Sequence, residues 1–447
     1  MTAITSSAPP AVGASRPKAR LLARPRVYTT IILTVVLTTF VILVALNFTT
    51  GEKKIAEAIE PLYSVADPQF ARTMGVLLGP SLVEGNRLTA LQNGDEIFPA
   101  MLGAIRGARS SITFETYIYW SGEIGKQFAD ALSERARAGV KVHVLLDWAG
   151  AGKLDEAMLD EMRSAGVEVF KFHPLHWYTI ARLNNRTHRK LLIVDGRIGF
   201  TGGVGIADNW QGRAQDPEHW RDSHYRIEGL AVAQMQAAFM DNWIKTRSRV
   251  LHGMDYFPDR VAAGDARAQV FFSSRDEGSE SVRLMYLLSI ASARKSIRIA
   301  ASYFVPDSLT LAALSAAADR GVKIEIILPG KYIDQKIVRK ASRGRWGPLL
   351  ERGVAIYEYR PTMYHCKVMI VDDLWTSVGS TNFDNRSFRL NSEANLNVLD
   401  SAFAAEQTKE FEADRGRATL MTLNIWRHRP MREKILEKLA GLLKSQL

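Results

Sequence analysis

The pattern His-x-Lys-x4-Asp occurs twice in this chain, at His188/Lys190/Asp195 and at His365/Lys367/Asp372. Lys and Asp each make up about 6% of average composition, so the 9 histidines present should yield roughly 0.03 such matches by chance. Both copies lie in the same apolar frame, HRKLLIVDGRIGFTGGVG and HCKVMIVDDLWTSVGSTN. The resemblance between the two parts of the chain extends further. Ala108-Arg109-Ser110-Ser111-Ile112 matches Ala293-Arg294-Lys295-Ser296-Ile297, and each runs into an aromatic strand. ADALSERARAGVKVHVLLD parallels LAALSAAADRGVKIEIILP: a helix, a glycine stop, then a continuous apolar strand. A further helix and strand, DEMRSAGVEVFKF or LLERGVAIYEY, leads into each signature. Helices alternating with near-continuous apolar strands predict an α/β fold whose sheet is covered on both faces.

Alternate residues of a strand share a face, so His188 projects with Lys190 and His365 with Lys367. Asp195 stands seven positions after His188 and precedes Gly196, which reads as the turn between two strands. Asp195 and Asp372 are therefore assigned to holding a hairpin, with no proton transfer expected from them. Cys366 alternates away from the His/Lys face. If the two faces meet across one cleft, imidazole suits both tasks of phosphodiester chemistry, because its unperturbed pKa lies near neutrality. One neutral histidine attacks phosphorus and forms a phosphohistidine. The other protonates the departing alkoxide and then deprotonates the incoming alcohol or water. Lys190 and Lys367 neutralise phosphoryl oxygens. Gly202, Gly203, Gly379 and Ser380 are expected to let backbone approach the phosphate, and Asn382 to add a side-chain donor. A lysine beside each histidine opposes a divalent ion, and no compact His/Cys/carboxylate set is evident. Chemistry without a metal or other cofactor is expected.

The first 26 residues carry Arg16, Lys18, Arg20, Arg24 and Arg26 without an acidic residue, and read as a disordered basic tail. They account for +5 of the net charge of +11, leaving +6 elsewhere, which suits anionic lipid and nucleic acid alike. Residues 27–48, VYTTIILTVVLTTFVILVALNF, are free of charge and long enough to span a bilayer core of about 30 Å. The basic tail before this span predicts a cytoplasmic N-terminus, with the large domain on the outer, periplasmic side of a cell (inner) membrane. Residues 49–85 read as a mainly helical connector, 86–251 as a first half, 252–266 as a linker and 267–447 as a second half. Near the C-terminus Met431, Ile435, Leu439 and Leu442 fall at helical spacing, which favours packing on the second half over lying on a bilayer surface.

The sequence resembles the phospholipase D superfamily through its duplicated HKD signature, and more narrowly the bacterial cardiolipin synthase branch. The resemblance is carried by THRKLLIVDGRIGFTGGVGIADNW, YHCKVMIVDDLWTSVGSTNFDNRSFRLNSEANLNV, HWRDSHYRIEGLAVAQMQAAFMDNW and ASYFVPD. It implies two similar α/β/α halves packed about a pseudo-twofold axis, sharing one active site. It also implies that His188 is the nucleophile and His365 the general acid/base. Asp222 and Glu393 match the positions of carboxylates that orient the histidine of the opposite half. Two departures stand out: Gly203 and Gly205 replace the Ser380 and Asn382 of the second copy, and there is one span, where some cardiolipin synthases have two and others none. The function implied is a membrane-anchored phosphatidyltransferase acting on phosphatidylglycerol or a similar lipid. A hydrolytic phospholipase D is the alternative and a nuclease a more distant one. No nucleic-acid partner is expected, because the span is present and no nucleic-acid module is recognisable. Oligomeric state is open. The basic run Lys331, Lys336, Arg339, Lys340, Arg343 and Arg345, with Trp346, reads as a solvated helix face or a site for anionic headgroups. Trp177 and Tyr178 are candidates for acyl-chain contact.

Overall fold

The apolar strands flanking each signature pair into one sheet. The computed structural model describes residues 25–46, 55–174, 185–274 and 280–442, so Trp177 and Tyr178 and the tail up to residue 24 lie outside the described residues. The first half supplies β1 (Val83–Gln92), β2 (Ser111–Thr116), β3 (Lys141–Asp147), β4 (Glu168–Phe172), β5 (Leu191–Val194), β6 (Ile198–Gly202) and β7 (Ser223–Gly229). The second supplies β8 (Ala266–Ser273), β9 (Ser296–Ala301), β10 (Lys323–Pro329), β11 (Ala355–Tyr359), β12 (Lys367–Val371), β13 (Trp375–Gly379), β14 (Asn391–Leu399) and β15 (Ala418–Met421). With the short strand Arg186–Thr187, which pairs with β14, they make a 16-stranded sheet among the described residues.

The order is β15-β11-β10-β9-β12-β13-β14-β8-β1-β7-β6-β5-β2-β3-β4. Outward from the central antiparallel pair β8–β1, equivalent strands follow in the same sequence on both sides, and β15 is the one addition. Parallel strands need crossovers. Helices Glu123–Arg137 and Ser308–Asp319 supply them between β2 and β3 and between β9 and β10. Both helices end at the predicted glycine, Gly139 (φ 89°) and Gly321 (φ 87°), where a left-handed residue terminates the turn without strain.

Each half has its own apolar core. A third cluster joins them: Ile193, Tyr225 and Trp243 from the first half pack with Val270, Leu396 and Phe403 of the second. The halves therefore belong to one compact unit, Thr50–Leu447. The stretch before β1 departs from the expectation of a mainly helical connector. Between residues 55 and 82 only Pro68–Leu78 is α-helical; Asp67 caps it by accepting the Gln69 N–H at 2.8 Å. This helix also packs on the second half, not on the first half that follows it in sequence. Phe70 meets Trp375 edge-on at 4.9 Å, and Met74 joins the same cluster. Apolar burial, not chain proximity, decides where a short amphipathic helix docks.

Helix α1 (Pro25–Leu46) forms over the charge-free N-terminal stretch and belongs to a separate unit. Among the described residues no helix is long and apolar enough to cross a membrane.

Candidate active site

Both hairpins are turned by the signature aspartates. Asp195 and Gly196 take φ of 53° and 62°, Asp372 and Asp373 both 54°. The Asp195 carboxylate accepts the backbone N–H groups of Arg109, Ser110 and Ser111, at 3.0, 2.8 and 3.0 Å. Asp372 accepts those of Arg294, Lys295 and Ser296, at 2.8, 2.7 and 2.9 Å. Each aspartate thus joins its hairpin to the repeated Ala-Arg-x-Ser-Ile segment that opens the neighbouring strand. Both repeated motifs are two sides of one contact, and neither aspartate lines the cavity that holds the histidines.

That cavity, of about 600 Å³, is walled by both halves, including His188, Lys190, His365 and Asn382. Each histidine is fixed by the opposite half. The His188 N–H donates to the Ser392 carbonyl at 2.9 Å, and the His188 ring Nδ1 meets the Glu393 carboxylate at 3.0 Å. The His365 N–H donates to the Arg221 carbonyl at 2.7 Å, and its Nδ1 meets Asp222 at 2.7 Å. In both cases the backbone acceptor immediately precedes the carboxylate. With Nδ1 engaged, Nε2 is left as the reactive nitrogen.

The carboxylates are themselves held. Asp222 accepts the Trp210 indole N–H at 2.9 Å and the Ser223 N–H at 2.8 Å. Glu393 accepts the hydroxyls of Ser380 (2.5 Å) and Ser387 (2.7 Å). Ser380, expected to let backbone approach the phosphate, is corrected: it does not line the cavity, and its hydroxyl serves Glu393. The glycines are corrected likewise: Gly202, Gly203 and Gly379 do not line the cavity. A Cβ on Gly203 would stand 2.2 Å from Asp222 Oδ1, and one on Gly379 would stand 2.4 Å from the Ala394 carbonyl oxygen. These residues are small so that the strand bearing the carboxylate can come close. Asn382 lines the cavity, with Ser302 donating to its Oδ1 at 2.6 Å.

Burial pushes His188 down to about 4, the neutral form at neutral pH. Burial, then the Lys367 charge, also lowers His365. Burial alone would raise Glu393 and Asp222. The facing histidines and neighbouring lysines outweigh it and hold both below the usual carboxylate range. Lys190 is pushed down to about 7 by burial and donates to the His188 carbonyl at 2.8 Å. Lys367, also lowered by burial, donates to Ser302 Oγ at 2.8 Å and sits 3.3 Å from His365 Nε2. It stands behind the histidine and is not part of the cavity wall.

Several supporting groups escaped sequence reasoning. Buried Asp147, raised by burial to about 6, accepts the Thr187 N–H at 3.0 Å, and Glu115 accepts the Thr187 hydroxyl. They pin the residue before His188. Trp210 and Trp220 approach the His365 ring at 5.4 and 5.5 Å, and Tyr117 approaches His188 at 5.2 Å. Only the burial of Asp147 and Glu115 inside predicted apolar strands could have marked them. Among the described residues no group of three or more His, Cys, Asp or Glu is placed to hold a metal.

The family described as cardiolipin synthase, PLD-like domain, matches residues 101–243 and 286–415. Cardiolipin synthase 1 of Bacillus cereus is 36% identical over 366 residues, covering 80% of this chain and 72% of the relative. Cardiolipin synthase of Geobacillus kaustophilus is 36% identical over 365 residues, 81% and 72% of the two chains. Among solved structures, phosphatidylserine synthase of Haemophilus influenzae superposes with a TM-score of 0.66 at 14% identity, over 85% of this chain and 100% of the other. Polyphosphate kinase of Porphyromonas gingivalis gives 0.51 at 12% identity, over 88% and 57%. These two likenesses concern the fold alone.

Proposed function

The chain belongs to the cardiolipin synthase, PLD-like domain family and is a phosphatidyltransferase enzyme of the phospholipase D superfamily, and on that premise we propose that it passes a phosphatidyl group through His188 to a lipid alcohol such as phosphatidylglycerol. The observation that carries this reading is the reciprocal bracing of two histidines, each by a carboxylate of the other half, around one cavity.

Neutral His188, its Nδ1–H directed at Glu393, attacks the donor phosphorus through Nε2. A P–N bond forms as the P–O bond to the leaving glycerol breaks. His365 gives its Nε2 proton to that oxygen, and Asp222 stabilises the cation before transfer. The incoming phosphodiester anion favours the charged form of His365, offsetting the burial and lysine charge that lower its pKa. In the second half-reaction His365 takes the acceptor hydroxyl's proton, the new alkoxide attacks phosphorus, and His188 leaves. Lys190, with Asn382, faces the phosphoryl oxygens. Water in place of the acceptor would turn the same residues to hydrolysis.

A membrane anchor with a cytoplasmic N-terminus and the enzyme outside rests on sequence alone: the charge-free stretch 27–48 and the basic tail before it support it, whereas no helix among the described residues is long and apolar enough to cross a membrane. A topology reporter fused after Leu447 should then be active outside the cytoplasm, and cytoplasmic activity would reverse the orientation. For the reaction itself, purified protein is incubated with labelled phosphatidylglycerol. Cardiolipin and free glycerol are expected; phosphatidic acid as the sole product would replace the transferase reading with the hydrolytic one.

A further inference from the structure

Helix Met431–Gly441 packs the wrong way round for a soluble protein. Its apolar residues Met431, Ile435 and Leu439, and Leu442 just beyond, are 68, 54, 55 and 75% exposed. At 3.6 residues per turn they fall within an arc of about 80°. The opposite face, which is charged, turns inward. Glu437 is buried and ion-paired with Arg429 at 2.7 Å, Glu433 pairs with Arg343 at 3.0 Å, and Ala440 joins a small cluster with Val338 and Ala341. The sequence expectation that the apolar stripe packs on the second half is therefore corrected. A surface helix normally buries its apolar stripe, and four adjacent exposed large side chains call for an occupant.

The flanks indicate which one. Arg432 and Lys438 border the stripe on either side, both exposed, and neither takes part in an ion pair among the described residues. The helix packs against Lys336–Arg343, on which Lys336, Ile337 and Lys340 are also exposed. Val338 of that second helix packs on the first helix's Ala440, and also lines the active-site cavity beside Gln335 and Asp334. Two of the cations of the basic run, Arg339 and Arg343, are committed to Glu358 and Glu433. Lys336 and Lys340 are left for an external partner. An apolar stripe edged by cations is the pattern of a helix lying in the headgroup layer, and anionic headgroups add attraction for each nearby lysine or arginine.

We propose that helix Met431–Gly441 is an interfacial docking face for an anionic bilayer, seating helix Lys336–Arg343, whose Val338 lines the cavity, at the lipid surface. The proposal goes beyond the transfer reaction and rests on that reading only in taking the substrate from a bilayer. An environment-sensitive label on Ile435→Cys or Leu439→Cys in the full chain tests it. The one native thiol, Cys366, is buried and so spared. The labelled protein is reconstituted into phosphatidylcholine vesicles with or without phosphatidylglycerol. Expected is quenching by brominated acyl chains, stronger with phosphatidylglycerol, together with protection from iodide. Iodide quenching in both vesicles would overturn the proposal, as would protection from both quenchers, which would mean that protein covers the stripe. Equal lipid quenching in both vesicles would overturn the anionic assignment. Ile435→Asp/Leu439→Asp should lower turnover of vesicle-embedded phosphatidylglycerol on the order of tenfold, with turnover of dispersed short-chain lipid unchanged. An equal fall on both substrates would overturn it. The quenching arm reads even if phosphatidylglycerol proves not to be the substrate.

Discussion

In the proposed reaction two residues separate binding from chemistry. Lys190 must be charged to face a phosphate, and burial brings its pKa to about 7. A lysine with a lowered pKa is cationic below that value and neutral above it. The kcat/KM, which reports the free enzyme, should therefore decline as pH rises through about 7. In Lys190→Arg the guanidinium stays charged, and the fall should become shallower, leaving only the part set by loss of the His365 proton; an unaltered fall in this variant would assign the titration elsewhere. Glu393 fixes the tautomer of His188 from 3.0 Å. Glu393→Gln preserves shape but not charge and should lower kcat on the order of 10²–10⁴-fold, with an unchanged circular dichroism spectrum. Near-normal turnover would remove Glu393 from the site.

At the scale of elements, the signature aspartates act on folding. Asp195 gathers three backbone N–H groups and the Ser110 hydroxyl, and thereby ties the β5–β6 hairpin to the start of β2. Asp195→Ala should cost about 1.5–3 kcal/mol of unfolding free energy, the scale of hydrogen bonds to a charged group, as read by chemical denaturation. The kcat of the folded fraction should be unchanged; a stable but inactive variant would contradict the structural role. The periodicity of the strands, their glycine stops and the His/Lys face were legible because each depends on local alternation. The roles of Gly203, Gly379 and Ser380 were not. Their spacing after the aspartate is the same whether they approach a phosphate or a strand bearing a carboxylate, and only the tertiary neighbour decides.

At the scale of the molecule, duplication pointed to one cleft and resemblance supplied Asp222 and Glu393, while their reciprocal backbone bracing through Arg221 and Ser392 was invisible in sequence. Those hydrogen bonds join residues far apart in the chain and leave no periodic trace. The same holds for helix Pro68–Leu78, which precedes the first half yet packs on the second. The proposed division of labour, with His188 as nucleophile and His365 as acid, comes from the family resemblance, and it can be trapped. With a phosphatidyl donor whose leaving group departs as its anion, such as a 4-nitrophenyl ester, the first step no longer needs His365. His365→Ala should then release about one equivalent of nitrophenolate per enzyme in a burst, since one adduct blocks further turnover. Mass spectrometry should find a phosphatidyl adduct on the peptide holding His188. No burst, or an adduct on any other residue, would contradict the account.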